Sequence, residues 1–339
     1  MTAEKIKFAV LGLGGQNSHY ADTLFRNPRV EIVAVTDESP APDVRQRNIE
    51  AAESFGVSYV EDLDEVLGRP DVDAITFSSP FDRRAPLVEK MASADNHIFG
   101  DKPLTDNLAD ADSIIESVAR HGVKLMVGHN YRFNPAILQA KEALTSGEIG
   151  LPWAIHSEWI IAAGKKVAGV GELRNHGMYP LDAMLYLVPN KPLTVYAVTG
   201  SFFFEEARTK DLEDLAFITM NLEHGVIAST SVGRTAVAHP NAYGGDQTLR
   251  IHGTHGMISL DANQPRWNAY EKSGNRSVKY GSDNVSDALD HFVDSIINDT
   301  EPMCGPKAAR DTLEITLAAL QSASENRVVE LPLPVTGAS

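Results

Sequence analysis

The sequence predicts an α/β protein of two domains: a doubly wound parallel sheet over residues 1–128, then an α/β domain over 129–339 with a large, predominantly antiparallel open sheet. Three observations carry this expectation. At 339 residues the chain exceeds the size at which one core usually stops growing. Up to about residue 128, short β-rich runs alternate with amphipathic stretches of helical length, as in a sheet built from βαβ units. From about residue 191 the apolar period becomes two, the mark of antiparallel strands with one covered face.

The elements follow in order. "KIKFAVLG" and "VEIVAVTD" read as the first two strands, with a helix near 19–26 between them. "DVRQRNIEAAESFG" is a helix closed by Gly56. "DLDEVL" opens with Asp62 and Glu65 as an acidic capping pair. "DAITFSSP", "HIFGDKP" and "KLMVGHN" are three further strands, joined by helices near 83–95 and 106–121. "RFNPAILQAKEALTSGEIG" reads as one amphipathic helix ended by Gly147, and a strand follows over 153–161. "LTVYAVTGSFFF", "LAFITMNLEHGVIASTSVG" and "LRIHGTHGMISL" supply the antiparallel strands, with a hairpin turn at His224 and Gly225. The second face of such a sheet needs cover if it is apolar, so a homodimer or homotetramer through this sheet is expected.

Composition excludes several classes. A formal net charge of -16 argues against nucleic acid and acidic membrane surfaces, both of which demand clustered Lys and Arg. No stretch reaches the roughly 18 apolar residues of a membrane span, and the amino terminus lacks signal-peptide organisation. One cysteine, Cys304, forms no internal disulfide, which fits a cytoplasmic protein, and no base motif surrounds it to activate a thiol. His252 and His255 straddle a turn without a third ligand, so no metal site is expected.

In a doubly wound sheet, ligands bind beyond the carboxyl ends of the strands. "GLGGQN" stands there as Gly12, Leu13, Gly14, Gly15, Gln16 and Asn17: a G-x-G turn before a helix whose first amides suit a pyrophosphate. Asn17 occupies the third fingerprint position and is expected to loosen the helix packing that a glycine would allow. A plain βα turn is the alternative. Asp37 ends the second strand, where a carboxylate accepts from the ribose hydroxyls and repels a 2′-phosphate, so NAD is expected over NADP. Asp37 also suits a turn or N-cap. Ser78, Ser79 and Pro80 follow the third strand, Asp101, Lys102 and Pro103 the fourth, and His129, Asn130 and Tyr131 the fifth. The last three are candidates for recognising substrate hydroxyls. Arg132 is expected to tie the domains together. Lys165 and Lys166 are expected on a solvated loop before the helix.

The segment "GELRNHGMYPLDAMLYLVP" is the second chemical candidate. If it is helical from Asn175, then Asn175, Tyr179 and Asp182 share one face and His176 lies on the neighbouring row. A solvated edge or a satisfied buried network would also account for them.

Together these pieces resemble a known family. A G-x-G turn, a D/E-K-P tripeptide, "R-F-x-P" at residues 132–135 and "G-x-L-x-N-x-G-x-Y-x-x-D" from Gly171 occur in the order seen in the glucose-fructose oxidoreductase, inositol dehydrogenase and rhizopine-catabolism family. The likeness spans nearly the whole chain, including "FVDSIINDTEP" and "LEITLAALQSASENRVVEL". It implies a Rossmann domain, a sugar or polyol substrate, and reversible hydride transfer to a nicotinamide. It also implies a proton-transfer and substrate-orienting role for Lys102, whose backbone Pro103 confines. Partial burial and a nearby oxidised nicotinamide both favour the neutral amine. Asp101 takes the family's acidic position, to anchor cofactor or to hold the loop.

This chain departs from the commonest D-x-x-x-H spacing with Asn175 and Tyr179. Tyrosine at the second position also occurs in glucose-fructose oxidoreductase. Asparagine removes a carboxylate that would stabilise a lysine ammonium 4 Å away by up to ~4 kcal/mol at an effective dielectric of 20. Lys102 is therefore expected to act as base with Tyr179 as partner or relay, while Asp182 as a substitute charge and His176 as the acid/base group stay open. Two other functions share the fold: transient oxidation that drives elimination or glycoside cleavage with NAD recycled, and a non-catalytic dinucleotide-binding sensor.

Overall fold

The computed structural model describes residues 5–39, 41–162, 169–236, 245–263, 266–271, 274–279 and 283–335. Lys165 and Lys166 lie outside them. The chain divides into two compact units, 1–128 with 285–310 and 129–284 with 311–335.

The first unit is built on five parallel strands, β1 (Ile6–Leu11), β2 (Val30–Thr36), β3 (Ala74–Phe77), β4 (His97–Gly100) and β5 (Leu125–Val127), in the order β2-β1-β3-β4-β5. Helices flank the strands in sequence, so β3 is buried along its whole length and carries only Ala, Ile, Thr and Phe. Register decides where the chemistry falls. Thr36, Leu11, Phe77, Gly100 and Val127 pair in one row across the sheet, so every strand ends at the same level. The residues that follow, Asp37, Gly12, Ser78 and Asp101, therefore open on one rim. Local stops agree with the sequence: Gly56 ends the helix Pro42–Phe55 at φ 72°, and Asp62 caps Leu63–Leu67 by accepting from the Asp64 amide.

From sequence, all of 129–339 is expected in the second domain; the structure instead gives 285–310 to the first. The reason is packing. Phe292, on the helix Asn284–Ile297, is fully buried with its ring 6.2 Å from Phe8 and 5.5 Å from Phe99. Burying such a ring contributes about 1.5–3 kcal/mol. Arg29 pairs with Asp290 and Asp294 of the same helix, and the Val127 amide donates to the Cys304 carbonyl.

The second unit carries a nine-stranded sheet: β6 (Pro152–Ala162), β7 (Pro192–Gly200), β8 (Leu215–Leu222), β9 (Ile227–Thr235), β10 (Gly245–Gly253), β11 (Gly256–Asp261), β12 (Arg266–Glu271), β13 (Gly274–Lys279) and β14 (Val329–Glu330). The order is β13-β12-β11-β10-β6-β9-β8-β7-β14, and all neighbours are antiparallel except β6 and β9. β12, β13 and β14 are not expected from sequence. His224 and Gly225 form the β8–β9 turn at φ 61° and 76°, a backbone region that asymmetric side chains avoid. On the inner face Trp159, Ile218, Val232 and Ile251 join Ile137 and Leu181 in the core. The outer face is mixed rather than apolar: one row across it reads Tyr196, Thr219, Ser229, His156, Arg250, Ser259, while Val198 and Phe217 stand exposed beside it.

The predicted helix over 132–147 is broken. Asn130–Phe133 is a 3₁₀ turn, and Asn134 then caps the helix Pro135–Thr145 by accepting from the Ala136 amide. Pro135 explains the break, since it disfavours helical geometry in the residue before it and suits a first helical position.

Candidate active site

The glycine turn sits where β1 must pass directly into the helix Asn17–Arg26. Gly12 and Gly15 adopt φ of 70° and 55°. A Cβ on Gly12 would stand 3.0 Å from the Ser78 carbonyl oxygen, and one on Gly15 only 2.6 Å from Asp101 Oδ2, so both positions require glycine for space as well as torsion. No side chain caps the helix at Gln16 and no acid occupies its first turn. The one carboxylate that reaches this helix end comes from elsewhere in the chain: Asp101 Oδ2, on the Gln16 amide at 3.3 Å.

Asn17 does the opposite of what its position suggests in sequence. It is fully buried, and its Nδ2 donates to the carbonyls of Gly12 (2.5 Å), Leu11 (3.3 Å) and Thr76 (3.4 Å) while its Oδ1 accepts from the Thr76 hydroxyl. A third glycine would allow close helix packing; Asn17 instead stitches the helix to the ends of β1 and β3.

Gly12, Leu13, Gly14, Asp37, Ser78, Ser79 and Pro80 line one cleft of about 400 Å³. Glu38, Ser39, Arg47, Asn48 and Arg83, none of them expected from sequence, complete its wall. Asp37 is 7% exposed and already engaged: Oδ1 accepts from the Ser39 amide (2.5 Å), and Oδ2 from Asn48 Nδ2 (2.6 Å) and the Tyr59 hydroxyl (3.3 Å). Its turn role is therefore real, and its geometry is fixed at the cleft wall. A nucleotide with its ribose at the fixed carboxylate and its phosphates at the glycine turn fits this cleft.

The tripeptide after β4 is braced from beneath. Asp101 is 7% exposed and Lys102 9%. Asp101 Oδ2 accepts from the Gln16 amide at 3.3 Å, so this carboxylate holds the glycine turn. Arg84, 2% exposed, donates through Nη1 to the carbonyls of Asp101 and Pro103 and through Nε to that of Ser79 at 3.2 Å. Burial pushes the Arg84 pKa down and Asp101 pushes it back up, yet an arginine remains charged. The backbone on both sides of Lys102 is thereby anchored to one guanidinium. The Lys102–Pro103 peptide is cis.

In the second unit, Arg132 and His129 meet at one buried carboxylate, Asp182. Arg132 Nε and Nη2 both lie 2.7 Å from Asp182 oxygens, His129 Nδ1 lies 2.8 Å from Asp182, and the Thr312 hydroxyl adds 3.3 Å. His129 and Asp182 are each 1% exposed. Burial alone would raise the Asp182 pKa, but Arg132 and His129 hold it well below the usual carboxylate range. Within their own unit, Arg132 and His129 Nδ1 are thus both committed to a buried carboxylate, and Asp182 is their counter-ion.

The Asn175 segment is not a plain α-helix. Leu173–Gly177 is a π-helical turn that leads into the helix Met178–Leu187, a feature frequent at functional sites. The inserted residue breaks the simple i, i+4, i+7 alignment of Asn175, Tyr179 and Asp182. Asn175 Nδ2 instead donates to Glu172 Oε2 at 3.3 Å. His176 and Tyr179 remain together, with ring centroids 5.5 Å apart and exposures of 8% and 4%. Tyr131 packs 4.9 Å from the Tyr179 ring and 4.8 Å from Trp159, and its hydroxyl reaches Gln247 at 2.9 Å. Asn130 is partly buried beside it.

Fold and cleft define the class, a dinucleotide-binding Rossmann protein. Residues 6–129 match the model of an oxidoreductase family with an NAD-binding Rossmann fold, and residues 137–259 match the GFO/IDH/MocA C-terminal domain. The chain belongs to the Gfo/Idh/MocA family of oxidoreductases. It is 32% identical to an inositol 2-dehydrogenase of Rubrobacter xylanophilus over 275 residues, covering 76% of this chain and 72% of the relative. A myo-inositol 2-dehydrogenase of Thermotoga maritima is 26% identical over 341 residues, 96% of this chain and 98% of that one. The crystal structure of a probable dehydrogenase from Thermotoga maritima superposes with a TM-score of 0.82 at 25% identity, covering 96% and 99%.

Besides the cleft residues above, Arg84, Glu172 and Gln247 are polar residues that sequence reasoning missed. The hydrogen bonds of Arg84 reach carbonyls 17 and 19 residues away, and backbone oxygens carry no residue-type signal. A glutamate amid "VGELR" was visible, but its partner, Arg234, lies 62 residues on.

Proposed function

We propose that the protein oxidises a secondary alcohol of a sugar or polyol, reversibly, with NAD as hydride acceptor. The observation that carries this reading is the anchored Lys102, 9% exposed and two residues beyond the end of β4, on the same sheet rim as the glycine turn. Bound NAD would supply the hydride-accepting carbon. Gly12, Leu13, Gly14, Gly15 and Gln16 would hold its pyrophosphate, Asp37 its ribose, and Ser78, Ser79 and Pro80 the floor of the cleft. Asp101 and Asn17 keep that turn in shape, and NADP is disfavoured because Asp37 would face a 2′-phosphate.

Alcohol oxidation requires the hydroxyl proton to leave as the carbinol carbon gives up hydride. Lys102 takes that proton, with Tyr179 as partner or relay, leaving a ketone and NADH. Asn175, His176 and Tyr131 with Asn130 orient the remaining hydroxyls. A homodimer or homotetramer through the second-unit sheet accords with the exposed Tyr196, Val198 and Phe217. The test is NADH formation with a panel of inositols and sugars. NADH accumulates in proportion to ketone, and Lys102→Ala loses at least ~100-fold in kcat. Product without NADH would indicate redox-neutral elimination; cofactor binding with no turnover on any alcohol would indicate a sensor.

A further inference from the structure

The π-helical turn that presents Asn175 rests on an ion pair that proton transfer does not use. Glu172 is fully buried and Arg234, near the end of β9, is 4% exposed. Arg234 Nε lies 2.9 Å from Glu172 Oε1, and the other carboxylate oxygen, Oε2, accepts from Asn175 Nδ2 at 3.3 Å. The backbone around the pair is also fixed: the Glu172 amide donates to the Glu213 carbonyl (3.1 Å), and the Leu173 amide to Glu213 Oε1 (2.8 Å).

Chemistry settles which way the Asn175 amide is turned. A carboxylate only accepts hydrogen bonds, so the end of the amide on Glu172 is the nitrogen, and Oδ1 is the opposite end. The Glu172–Arg234 pair is formally neutral. An aspartate at 175 would bring a second carboxylate to about the same distance from Glu172, whose other oxygen already holds Arg234. Two carboxylates in one site cannot both ionise freely, and one then titrates well above its usual range.

We propose that Glu172, held by Arg234, is a positioning residue. It locks Asn175 as an uncharged acceptor for a substrate hydroxyl, which favours a neutral polyol carbon over a carboxylate at that point, and it is the reason that an amide, not an acid, stands here. The proposal rests on the dehydrogenase reading for its substrate but not for its first test. The charged and titratable groups around position 175 are Glu172, Arg174, Glu213, Arg234, His176 and Tyr179, with Lys102 added on the dehydrogenase reading, where its charge would oppose the rise.

The experiment measures melting temperature from about pH 4 to 8 for the wild type, Asn175→Asp, Glu172→Gln/Asn175→Asp and Glu172→Gln/Arg234→Met. In Asn175→Asp the new carboxyl holds its proton more tightly when folded than when unfolded. Stability relative to wild type therefore falls as pH rises from the unfolded value toward the raised one. That midpoint lies about one to three pH units above an ordinary aspartate. The slope disappears in Glu172→Gln/Asn175→Asp. A loss independent of pH, or a slope unchanged by Glu172→Gln, would overturn the proposal whatever the protein catalyses. In kinetics with the best polyol, Asn175→Asp gains a limb at the same midpoint and Glu172→Gln/Arg234→Met raises KM more than it lowers kcat. An Asn175→Asp rate profile identical to wild type also overturns it, leaving the dehydrogenase reading intact.

Discussion

Asp182→Asn is expected to destabilise the second unit by about 3–5 kcal/mol, the usual cost of removing one member of a buried ion pair. Asp182 is 1% exposed and accepts from Arg132 at 2.7 Å through two nitrogens, from His129 at 2.8 Å and from Thr312 at 3.3 Å. At 2.7 Å and an effective dielectric of 20, the gross attraction of Arg132 and Asp182 is roughly 6 kcal/mol. Desolvation of the two charges offsets most of that, so the intact pair adds little net stability. Its loss is costly for another reason. Asparagine leaves a guanidinium that is 6% exposed without its counter-charge and turns an amide N–H toward Arg132 or His129. Urea unfolding of both proteins gives the difference, and hydrogen exchange of the amides in Met178–Leu187 assigns it to this unit. Sign fixes the pH dependence. The folded pKa of Asp182 is depressed, so its contribution is fully present above the unfolded value of about 3.9 and is lost as pH falls through the folded one. The gap between wild type and variant therefore holds at neutral pH and narrows below about pH 4. A cost under ~1 kcal/mol would refute the reasoning, as would an Arg132→Met/Asp182→Asn double variant whose cost equals the sum of the two singles.

Gly15→Ala is expected to cost about 1–3 kcal/mol, because it forces a Cβ into a φ of 55° and against Asp101 Oδ2. Adding Asp101→Ala relieves the clash but not the torsion, so melting temperature recovers only in part; full recovery would show that torsion is irrelevant. Arg84→Met strands the carbonyls of Asp101 and Pro103 at about 1–3 kcal/mol each. With the Lys102 backbone released, kcat falls more than affinity for NAD, and equal losses in the two would contradict an anchoring role.

Two kinds of information were unequally readable. The strand ends, the helix stops at Gly56 and Gly147 and the His224–Gly225 turn depend on torsions and apolar periods set by neighbouring residues, and the sequence displays those directly. The family resemblance likewise followed from motifs whose order is linear, and it placed Lys102 and the glycine turn on one rim because parallel strands must end together. Legibility stopped where a side chain chose between remote partners. Asn17 looked like a defect in a glycine fingerprint and proved to be a brace, since its three acceptors meet only once β1 and β3 lie side by side.

The sequence by itself determined the two-domain α/β plan, the Rossmann rim and the identity of its lysine, because these depend on local conformation and on a pattern repeated along the chain. Only the tertiary structure decided that Asp182 belongs to Arg132 and His129, that Glu172 and Arg234 hold Asn175, that Arg84 carries the Lys102 backbone, and that the helix Asn284–Ile297 returns to the first unit. Each of those is a pairing of polar or aromatic groups far apart in the chain. Such groups have many chemically equivalent partners in sequence and one within reach once the backbone is folded.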